Sequence, residues 1–469
     1  MQRIAVIGGG AAGSAVVAHC LRDAARGDRH APRNTLTWIV GDQAPGRGIA
    51  YRTVDEQHLL NVRAANMSLF ADHATDFLDY ASARGIAAAD GQFLPRAIYG
   101  DYVEATLARL LRDAHGRLAL NAHSTEAVAL HPLPGGGFDI RMRDGGSIRA
   151  DGVVLALGAL PPAILPGVSA AAASSGAYAG DPWAWPEPAR PPAHVLVIGT
   201  GLTAVDAILS AAARWPQARL TAVSRRGRLP ALHADGPLSP YSGQDELLAR
   251  LGGSTHLADW LRAVRLATST PDTDWRAVLD SVRAALPRCW QALDPIQRAR
   301  FLRHLRPHWE VVRHRMPART AARLQALHDA GRLRILAARI RAVEGGDAGL
   351  RIALRLRGSA QPLAMNADFA IQATGLDSDV RTTAHTLVRQ LVQERLVQPD
   401  ALGLGLAAGA DGRLLDADGR PRPGFYAIGA LLRGTLWECT AMPEIRGLAR
   451  SIAADLRAAP APAPRLVAV

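Results

Sequence analysis

Short apolar runs bounded by polar or glycine-rich stretches dominate the hydrophobic pattern of the chain. Four of them, Ile4–Ile7, Leu36–Val40, Val195–Ile198 and Arg219–Val223, are four or five residues long and rich in Val, Ile and Leu. Runs of this length between turn residues are typical of strands buried inside a parallel sheet. The pattern therefore predicts two pairs of parallel strands, far apart in the chain.

The first and third runs are each followed by a glycine-rich turn and then by a helix-like run, over residues 15–21 and 205–213. In a strand–turn–helix unit the glycines let the backbone approach a pyrophosphate, and the helix start offers free N–H groups to it. Two such units predict a chain that holds two dinucleotides. The predicted contact residues are Gly8, Gly10, Ala11, Ala12 and Gly13 in the first turn and Gly199, Thr200, Gly201, Leu202 and Thr203 in the second.

Two further apolar segments, Asp151–Gly158 and Asp368–Gly375, end in a small-small-glycine turn that can pass close to a cofactor. Ala156, Gly158, Thr374 and Gly375 are predicted cofactor neighbours. We interpret the two segments as the points where the chain leaves its first domain and returns to it. The predicted fold is α/β, with two Rossmann-like domains, the second inserted into a discontinuous first. The predicted boundaries are 1–185 and 361–458 for the first domain, 190–360 for the inserted domain with a helical insertion over about 236–330, and 459–469 for a flexible tail.

The residues after the second strand of each unit distinguish the two dinucleotides. Asp42 follows the first domain's second strand, where a carboxylate can hold the ribose hydroxyls of FAD. The equivalent strand of the second domain is followed by Ser224, Arg225 and Arg226 instead. Guanidinium groups bind a 2′-phosphate that a carboxylate would repel. The sequence therefore predicts FAD in the first domain and NADPH in the second.

Composition narrows the remaining classes of function. The net charge is +12, but the chain contains no lysine and its arginines are spread along it. This indicates a solvated basic surface and disfavours a nucleic-acid or membrane partner. The three cysteines are far apart, without a C-x-x-C pair, which disfavours a disulfide framework, a zinc site and a dithiol redox centre. We expect a cytoplasmic protein without a metal.

Several motifs resemble the bacterial FAD/NAD(P)-binding flavoproteins of the class B flavin monooxygenase type. They are Gly46–Tyr51, Leu59–Val62, Ser224–Pro230 and Glu438–Arg446, and they extend the resemblance over nearly the whole chain. The resemblance implies that the 438–446 segment opens a helix near the flavin ring, where its N–H groups can stabilise a reduced flavin. The cofactor contacts that it implies on the flavin side are Arg47, Gly48, Tyr51, Asn61, Gly429 and Met442.

The resemblance also suggests four polar groups for catalysis: Asn61, Asp181, Arg315 and Glu438. A guanidinium near the flavin would favour a deprotonated peroxide, although the arginines around Arg315 fit a solvated helix as well. A structural ion pair would explain Glu438 and Arg446 equally well. Asp181 lies in the linker Tyr178–Pro186, which keeps the aromatic, the glycine and the Trp-Pro of the Baeyer–Villiger fingerprint but lacks its histidine.

The predicted function is an NADPH- and FAD-dependent monooxygenase that transfers one oxygen atom from O2 to a small organic substrate through a C4a-(hydro)peroxyflavin. Baeyer–Villiger oxidation and N-hydroxylation both remain open, and so do the substrate and the oligomeric state. The alternative is an NADPH–flavin reductase that passes electrons to a protein carrier or quinone. A non-catalytic nucleotide sensor is disfavoured by the two complete sites.

Overall fold

A computed structural model describes residues 2–27, 34–42, 45–88, 91–346, 349–375 and 377–458. The predicted tail, 459–469, lies outside the described residues. The helices and strands form two large sheets with helices against them, a small antiparallel sheet and a helical insertion.

The first sheet has six strands in the order β15-β16-β7-β1-β2-β3, and β4-β5-β6 form the small antiparallel sheet. Strand β1 pairs in parallel with both β2 and β7. Residues 4–7 are buried because helices cover one face of the sheet and the small antiparallel sheet packs against the other. The elements up to the linker are β1 (Arg3–Ile7), α1 (Ala11–Arg26), β2 (Asn34–Ile39), α2 (Gly48–Tyr51), α3 (Asp76–Ser82), α4 (Arg96–Asp113), β3 (Leu118–His123), β4 (Ala127–Pro132), β5 (Phe138–Met142), β6 (Ser147–Ala150) and β7 (Gly152–Leu155).

The second sheet has seven strands in the order β13-β12-β11-β10-β9-β14-β8. Its central strands are parallel, whereas β11, β12 and β13 form an antiparallel meander at one edge. The elements that begin this domain are α5 (Ala170–Ser174), β8 (Tyr178–Ala179), β9 (His194–Ile198), α6 (Leu202–Arg214) and β10 (Arg219–Ser224).

A helical insertion follows β10; its predicted range was about 236–330. One small core lies within the insertion, and a second core also includes Leu404 and Trp437 of the first domain. A π-helical turn, Phe301–Leu305, leads directly into the helix that lines the nucleotide cleft described below. The helices are α7 (Gln244–Gly252), α8 (Leu257–Thr268), α9 (Trp275–Val282), α10 (Leu286–Ala292), α11 (Pro295–Arg300), α12 (Arg306–Arg313) and α13 (Ala318–Asp329).

The chain then completes the second sheet and returns to the first. Helix α16 packs along α1 and closes the first domain. The remaining elements are β11 (Leu333–Gly346), β12 (Gly349–Leu356), β13 (Pro362–Ala367), β14 (Phe369–Gln372), α14 (Thr386–Gln393), β15 (Arg413–Leu415), β16 (Pro421–Ala427), α15 (Arg433–Leu436) and α16 (Met442–Ala458).

Sheet membership differs from two of the predicted boundaries. Strand β8 lies before residue 185 and β14 lies after residue 361, yet both pair within the second sheet. The segments around β7 and β14 are therefore not two parts of one domain. Each pairs with the strand that precedes the glycine turn of its own sheet, β7 with β1 and β14 with β9, so the repeated pattern marks equivalent positions in two domains. The sequence alone cannot show to which sheet such a strand belongs, because a fully buried strand has the same continuous apolar pattern in either sheet.

Buried His19 in α1 gives the fold a pH dependence. Its side chain is 1% exposed, and burial, with the nearby Arg22 guanidinium, lowers its pKa to about 4. Below about pH 6.5 the His19 imidazole is protonated in the unfolded chain but stays neutral in the native state. The free energy of unfolding therefore falls as the pH drops from about 6.5 to about 4. Through this residue alone, the free energy of unfolding should be about 2 kcal/mol lower at pH 5 than at pH 7.

Denaturant unfolding of the wild type and His19→Gln at both pH values measures this loss. The variant should lose less stability on acidification, whereas His115→Gln, an exposed control, should match the wild type. Equal losses in His19→Gln and the wild type would show that His19 does not carry this dependence.

Candidate functional site

The first glycine turn joins β1 to α1 and is shaped by close backbone contacts. Gly8 has φ +124°, and a Cβ there would lie 2.2 Å from the Ala156 carbonyl oxygen, while one at Gly13 would lie 2.1 Å from the Gly8 oxygen. Gly10 is different, because a Cβ there would meet only the Gly48 Cα, at 3.7 Å. The outer glycines thus permit tight packing and the middle one borders open space. These are the separate roles that a pyrophosphate-binding turn requires.

The second glycine turn, between β9 and α6, repeats this arrangement. Gly199 has φ +134°, and its Cβ would lie 2.1 Å from the Ala373 carbonyl oxygen, whereas a Cβ at Gly201 would meet nothing within 4 Å. Hydrogen bonds match as well: Gly8 N–H donates to Ile39 O and Gly199 N–H to Val223 O, both at 2.8 Å. The residues of both turns therefore fit a dinucleotide.

The predicted flavin-side contacts have different surroundings. Gly48 (φ +53°) lies against Gly10, and Gly429 (φ +82°) lies beside Ala12, so both border the first turn. The Arg47 guanidinium, predicted to contact the cofactor, instead pairs with Glu104 at 2.7 Å and with Asp101 on α4. Burial raises the pKa of the Tyr51 hydroxyl to about 12, so it stays protonated.

Other residues of the first domain that were predicted to contact the cofactor lie partly at the surface and partly in the core. Asp42 is exposed just after β2, open to a ribose. Met442, 1% exposed, packs in the hydrophobic core at the start of α16. Gly158 (φ +69°) has open space around its α-carbon.

A cleft of about 870 Å³ runs from the second glycine turn to the 437–440 segment of the first domain. Helix α12 supplies one wall of it, so the helical insertion covers the nucleotide side. All predicted cofactor residues of the second domain line this cleft: Gly199, Thr200, Gly201, Leu202, Thr203, Ser224, Arg225, Arg226, Thr374 and Gly375.

A basic cluster stands at the outer end of the cleft. His308 of α12 lies between two arginines, with Nε2 2.9 Å from Arg226 Nη1 and Nδ1 3.0 Å from Arg228 Nη1. A neutral imidazole has one acceptor nitrogen, so it can accept from only one of them. Burial and these guanidinium groups lower the pKa of His308. Ser224 also has a structural role, because its Oγ accepts a hydrogen bond from Gly227 N–H at 3.0 Å and stabilises the turn.

Glu438 is anchored at the inner end of the cleft by the helical insertion. Its Oε1 accepts from Trp309 Nε1 at 3.0 Å, and its Oε2 lies 3.0 Å from Arg313 Nη2. The preceding residue, Trp437, is held at φ +58°, an uncommon conformation for a bulky side chain. The ion pair predicted for Glu438 therefore exists, but its partner is Arg313. Arg446 instead donates to Ser68 O at 3.2 Å.

A second carboxylate, Glu310 of α12, lines the same cleft between Arg306 (2.8 Å) and Arg433 (3.0 Å). Burial alone would raise the pKa of Glu310, but the two guanidinium groups outweigh it and hold that pKa below its ordinary value. The cleft therefore carries fixed opposite charges on facing elements.

The four predicted catalytic residues are not brought together. Glu438 lines the cleft, whereas Arg315 lines a separate cavity. Asn61 accepts through its backbone oxygen from His233 Nε2, at 3.1 Å. Asp181 lines neither space; its carboxylate accepts from Trp183 N–H at 2.9 Å and shapes the linker. Arg315 is 5% exposed, which rules out the solvated-helix interpretation for this arginine.

Sequence reasoning missed the contribution of the helical insertion. Arg228 could have been found, since it lies two residues beyond Arg226. His308 offered no motif, and the roles of Trp309 and Glu310 depend on how α12 packs across the cleft.

Within the described residues, His, Cys, Asp and Glu side chains do not gather in groups of three that could hold a metal. None of the described helices is both long and apolar enough to span a bilayer.

Residues 5–160 match the family model described as FAD-NAD(P)-binding. Nitrosuccinic acid synthase of Aspergillus oryzae is 26% identical over 171 residues, which cover 34% of this chain and 26% of that enzyme. The chain thus matches about a quarter of the length of this curated relative.

Solved structures share the architecture over nearly the whole chain. The ornithine N-hydroxylase of Kutzneria sp. 744, with reduced FAD, NADP+ and L-ornithine, has a TM-score of 0.64 at 15% identity, covering 97% of this chain and 99% of that one. The ornithine hydroxylase of Pseudomonas aeruginosa gives 0.61 at 16%, covering 97% and 98%. The L-lysine 6-monooxygenase of Pseudomonas syringae gives 0.59 at 17%, covering 97% and 99%.

These comparisons confirm the predicted α/β fold with two dinucleotide-binding domains and the resemblance to flavin monooxygenases. The FAD-NAD(P)-binding model matched by residues 5–160 agrees with the dinucleotide site predicted for the first domain.

Proposed function

We propose that this chain is a flavin monooxygenase that oxygenates the nitrogen of a small amino acid. The observation that carries the proposal is the cleft, which connects the second glycine turn to the 437–440 segment of the first domain. A nicotinamide dinucleotide bound along it would reach the domain that holds FAD. When bound, FAD would accept a hydride and activate O2.

The residues of the chain would bind and shield these groups. The turns Gly8–Gly13 and Gly199–Thr203 hold the pyrophosphates, and Asp42 accepts from the ribose hydroxyls. Helix α12 excludes water from the cleft. Both carboxylate oxygens of Glu438 are already engaged by Trp309 and Arg313, so Glu438 positions α12 against the first domain and is not a free base.

Nitrogen oxygenation is favoured over Baeyer–Villiger oxidation by two observations. The linker lacks the histidine of the Baeyer–Villiger fingerprint. The three solved structures described above are named for ornithine or lysine hydroxylation, and the partial curated relative is named for a nitro acid. Three buried free cysteines, Cys20, Cys289 and Cys439, fit a reducing compartment such as the cytoplasm.

Product analysis tests the proposal. The purified protein is given NADPH and O2 with L-ornithine, L-lysine, L-aspartate or cyclohexanone, and products are analysed by mass spectrometry. We expect an N-oxygenated product from at least one amino acid, formed in proportion to the NADPH consumed. Lactone formation would instead establish Baeyer–Villiger chemistry. Fast reduction of quinones or dyes without any oxygenated product would establish the reductase.

The Arg226 side chain should determine the preference for NADPH. Because it offers a charge-assisted contact to the 2′-phosphate, Arg226→Ala should weaken NADP+ binding roughly 10- to 100-fold and leave NAD+ binding unchanged. Calorimetric titration with both nucleotides measures this. Arg219→Ala, exposed at the other end of β10, serves as the control, and equal weakening for NADP+ and NAD+ would refute the assignment.

A further inference from the structure

A second cavity of about 610 Å³ lies between the flavin-side segment of the first domain and the helical insertion. It shares no lining residue with the nucleotide cleft, although the two spaces adjoin: His314 lines the cleft and the next residue, Arg315, lines the cavity. On the flavin side, His233 contacts the backbone of Asn61. Through His233 the cavity thus borders Asn61, the predicted flavin neighbour.

Arg315 is built into the wall with spare hydrogen-bonding capacity. Its side chain is 5% exposed. Its Nη2 pairs with Asp280, but its buried Nε has no partner among the described residues. A buried guanidinium N–H without an acceptor is costly unless a ligand supplies one. Asp280 is nearly half exposed (47%), so one face of this ion pair is open.

Arg63 adds a second positive charge without a carboxylate partner in the described part of the chain. Its guanidinium donates only to backbone oxygens, those of Gly91 (2.6 Å), Ala234 (2.8 Å) and Gly236 (2.6 Å). Asp280 is thus the only carboxylate among the described lining residues, against two guanidinium groups. The cavity carries an excess of positive charge.

The positive charge around the cavity affects the protonation of His233. Burial, Arg315 and Arg63 lower its pKa to about 4, so the imidazole is neutral. Nε2 must carry the proton, because it lies 3.1 Å from the Asn61 carbonyl oxygen. Nδ1 is then an acceptor that can receive an N–H from a bound molecule. The cavity therefore combines two cationic donors with a neutral imidazole acceptor.

We propose that this cavity is the substrate pocket and that it binds an amino acid through its carboxylate, with Arg315 as the anchor and Arg63 as the supporting charge. The inference rests on the proposed function, since it assigns the substrate class of that oxygenation. An arginine fork matches a carboxylate bidentately. The ligand would share Arg315 with Asp280, so Asp280 is a competitor of the substrate carboxylate.

This competition yields two opposite expectations, which a purely structural ion pair would not produce. Arg315→Ala should weaken amino-acid binding about 100-fold, because it removes a charge-assisted bidentate contact. Asp280→Asn should tighten binding several-fold, because it frees the guanidinium and removes a repelling charge. If the pair were only structural, both variants would lower stability and neither would tighten binding.

The test uses the full-length protein with bound FAD. L-Aspartate, L-ornithine and L-lysine, together with putrescine and cadaverine, the diamines that lack the carboxylate of ornithine and lysine, are titrated by calorimetry. Thermal unfolding is recorded for each variant, with Arg262→Ala, 77% exposed on α8, as the control. Binding of an amino acid but not of the diamines, with opposite shifts in the two variants, supports the proposal.

Binding of the diamines as tightly as of the amino acids would overturn the proposal, as would unchanged affinity in Arg315→Ala. The proposal would also be overturned if none of the three amino acids bound. The NADPH reduction of the flavin is measured on the same samples without amino acid. A failure there contradicts the proposed function, whereas intact reduction with failed binding contradicts only the substrate assignment.

Discussion

Gly201→Val should abolish reduction of the bound flavin by NADPH while leaving the flavin in place. Gly201 has φ −78°, so valine can adopt the backbone conformation, and its Cβ would meet no protein atom within 4 Å. The added methyl groups would instead occupy the space where the pyrophosphate approaches the backbone. We expect the rate of flavin reduction at fixed NADPH to fall about 1,000-fold, since the nucleotide loses its closest contact.

Anaerobic stopped-flow absorbance measures this rate, and thermal unfolding verifies the fold. Gly252→Val is the matched control, because Gly252 also has open space around it but lies at the end of α7. It should reduce at the wild-type rate. Normal reduction in Gly201→Val would mean that NADPH binds elsewhere.

Gly10→Val should give the mirror result, a folded protein that has lost FAD. Gly10 has φ −84°, and its Cβ would approach only the Gly48 Cα, at 3.7 Å. The side chain would project into the space of the FAD pyrophosphate, so we expect flavin affinity to fall at least about 1,000-fold.

The flavin absorbance of the purified variant and fluorescence titration of the apoprotein with FAD measure this loss. Gly8→Val is an informative contrast, because its Cβ would collide with the Ala156 oxygen at 2.2 Å. That variant should fail to fold, whereas Gly10→Val should unfold near the temperature of the wild-type apoprotein, since both lack the stabilisation that bound FAD provides. Wild-type FAD content in Gly10→Val would contradict the assignment of the first turn.

The two dinucleotide domains were predictable because their signals are local. A buried strand, a glycine turn and a helix start are contiguous in sequence, and they appear in the structure around Gly8 and Gly199. Sheet membership was not local. Strand β14 has the same pattern as β7, and only its pairing with β9 shows that it belongs to the second sheet.

The catalytic predictions fared differently because they depend on packing between distant segments. Asp181 accepts from the Trp183 backbone N–H and shapes the linker, and Arg315 pairs with Asp280 beside a separate cavity. Glu438 lies in the cleft, but its anchors come from α12, which is more than 120 residues earlier in the chain. No spacing rule connects such positions. The two cavities on either side of His314 and Arg315 likewise exist only after the insertion packs against both domains.

Reaction of the reduced protein with O2 tests the central claim most directly. The FAD-loaded protein is reduced with NADPH without oxygen, then mixed in a stopped-flow spectrometer with oxygenated buffer containing L-ornithine, L-lysine or L-aspartate. The account predicts a transient absorbance at roughly 360–390 nm before the oxidised flavin returns, with an N-oxygenated amino acid among the products. Direct return to oxidised flavin with every amino acid, accompanied by hydrogen peroxide alone, would contradict it.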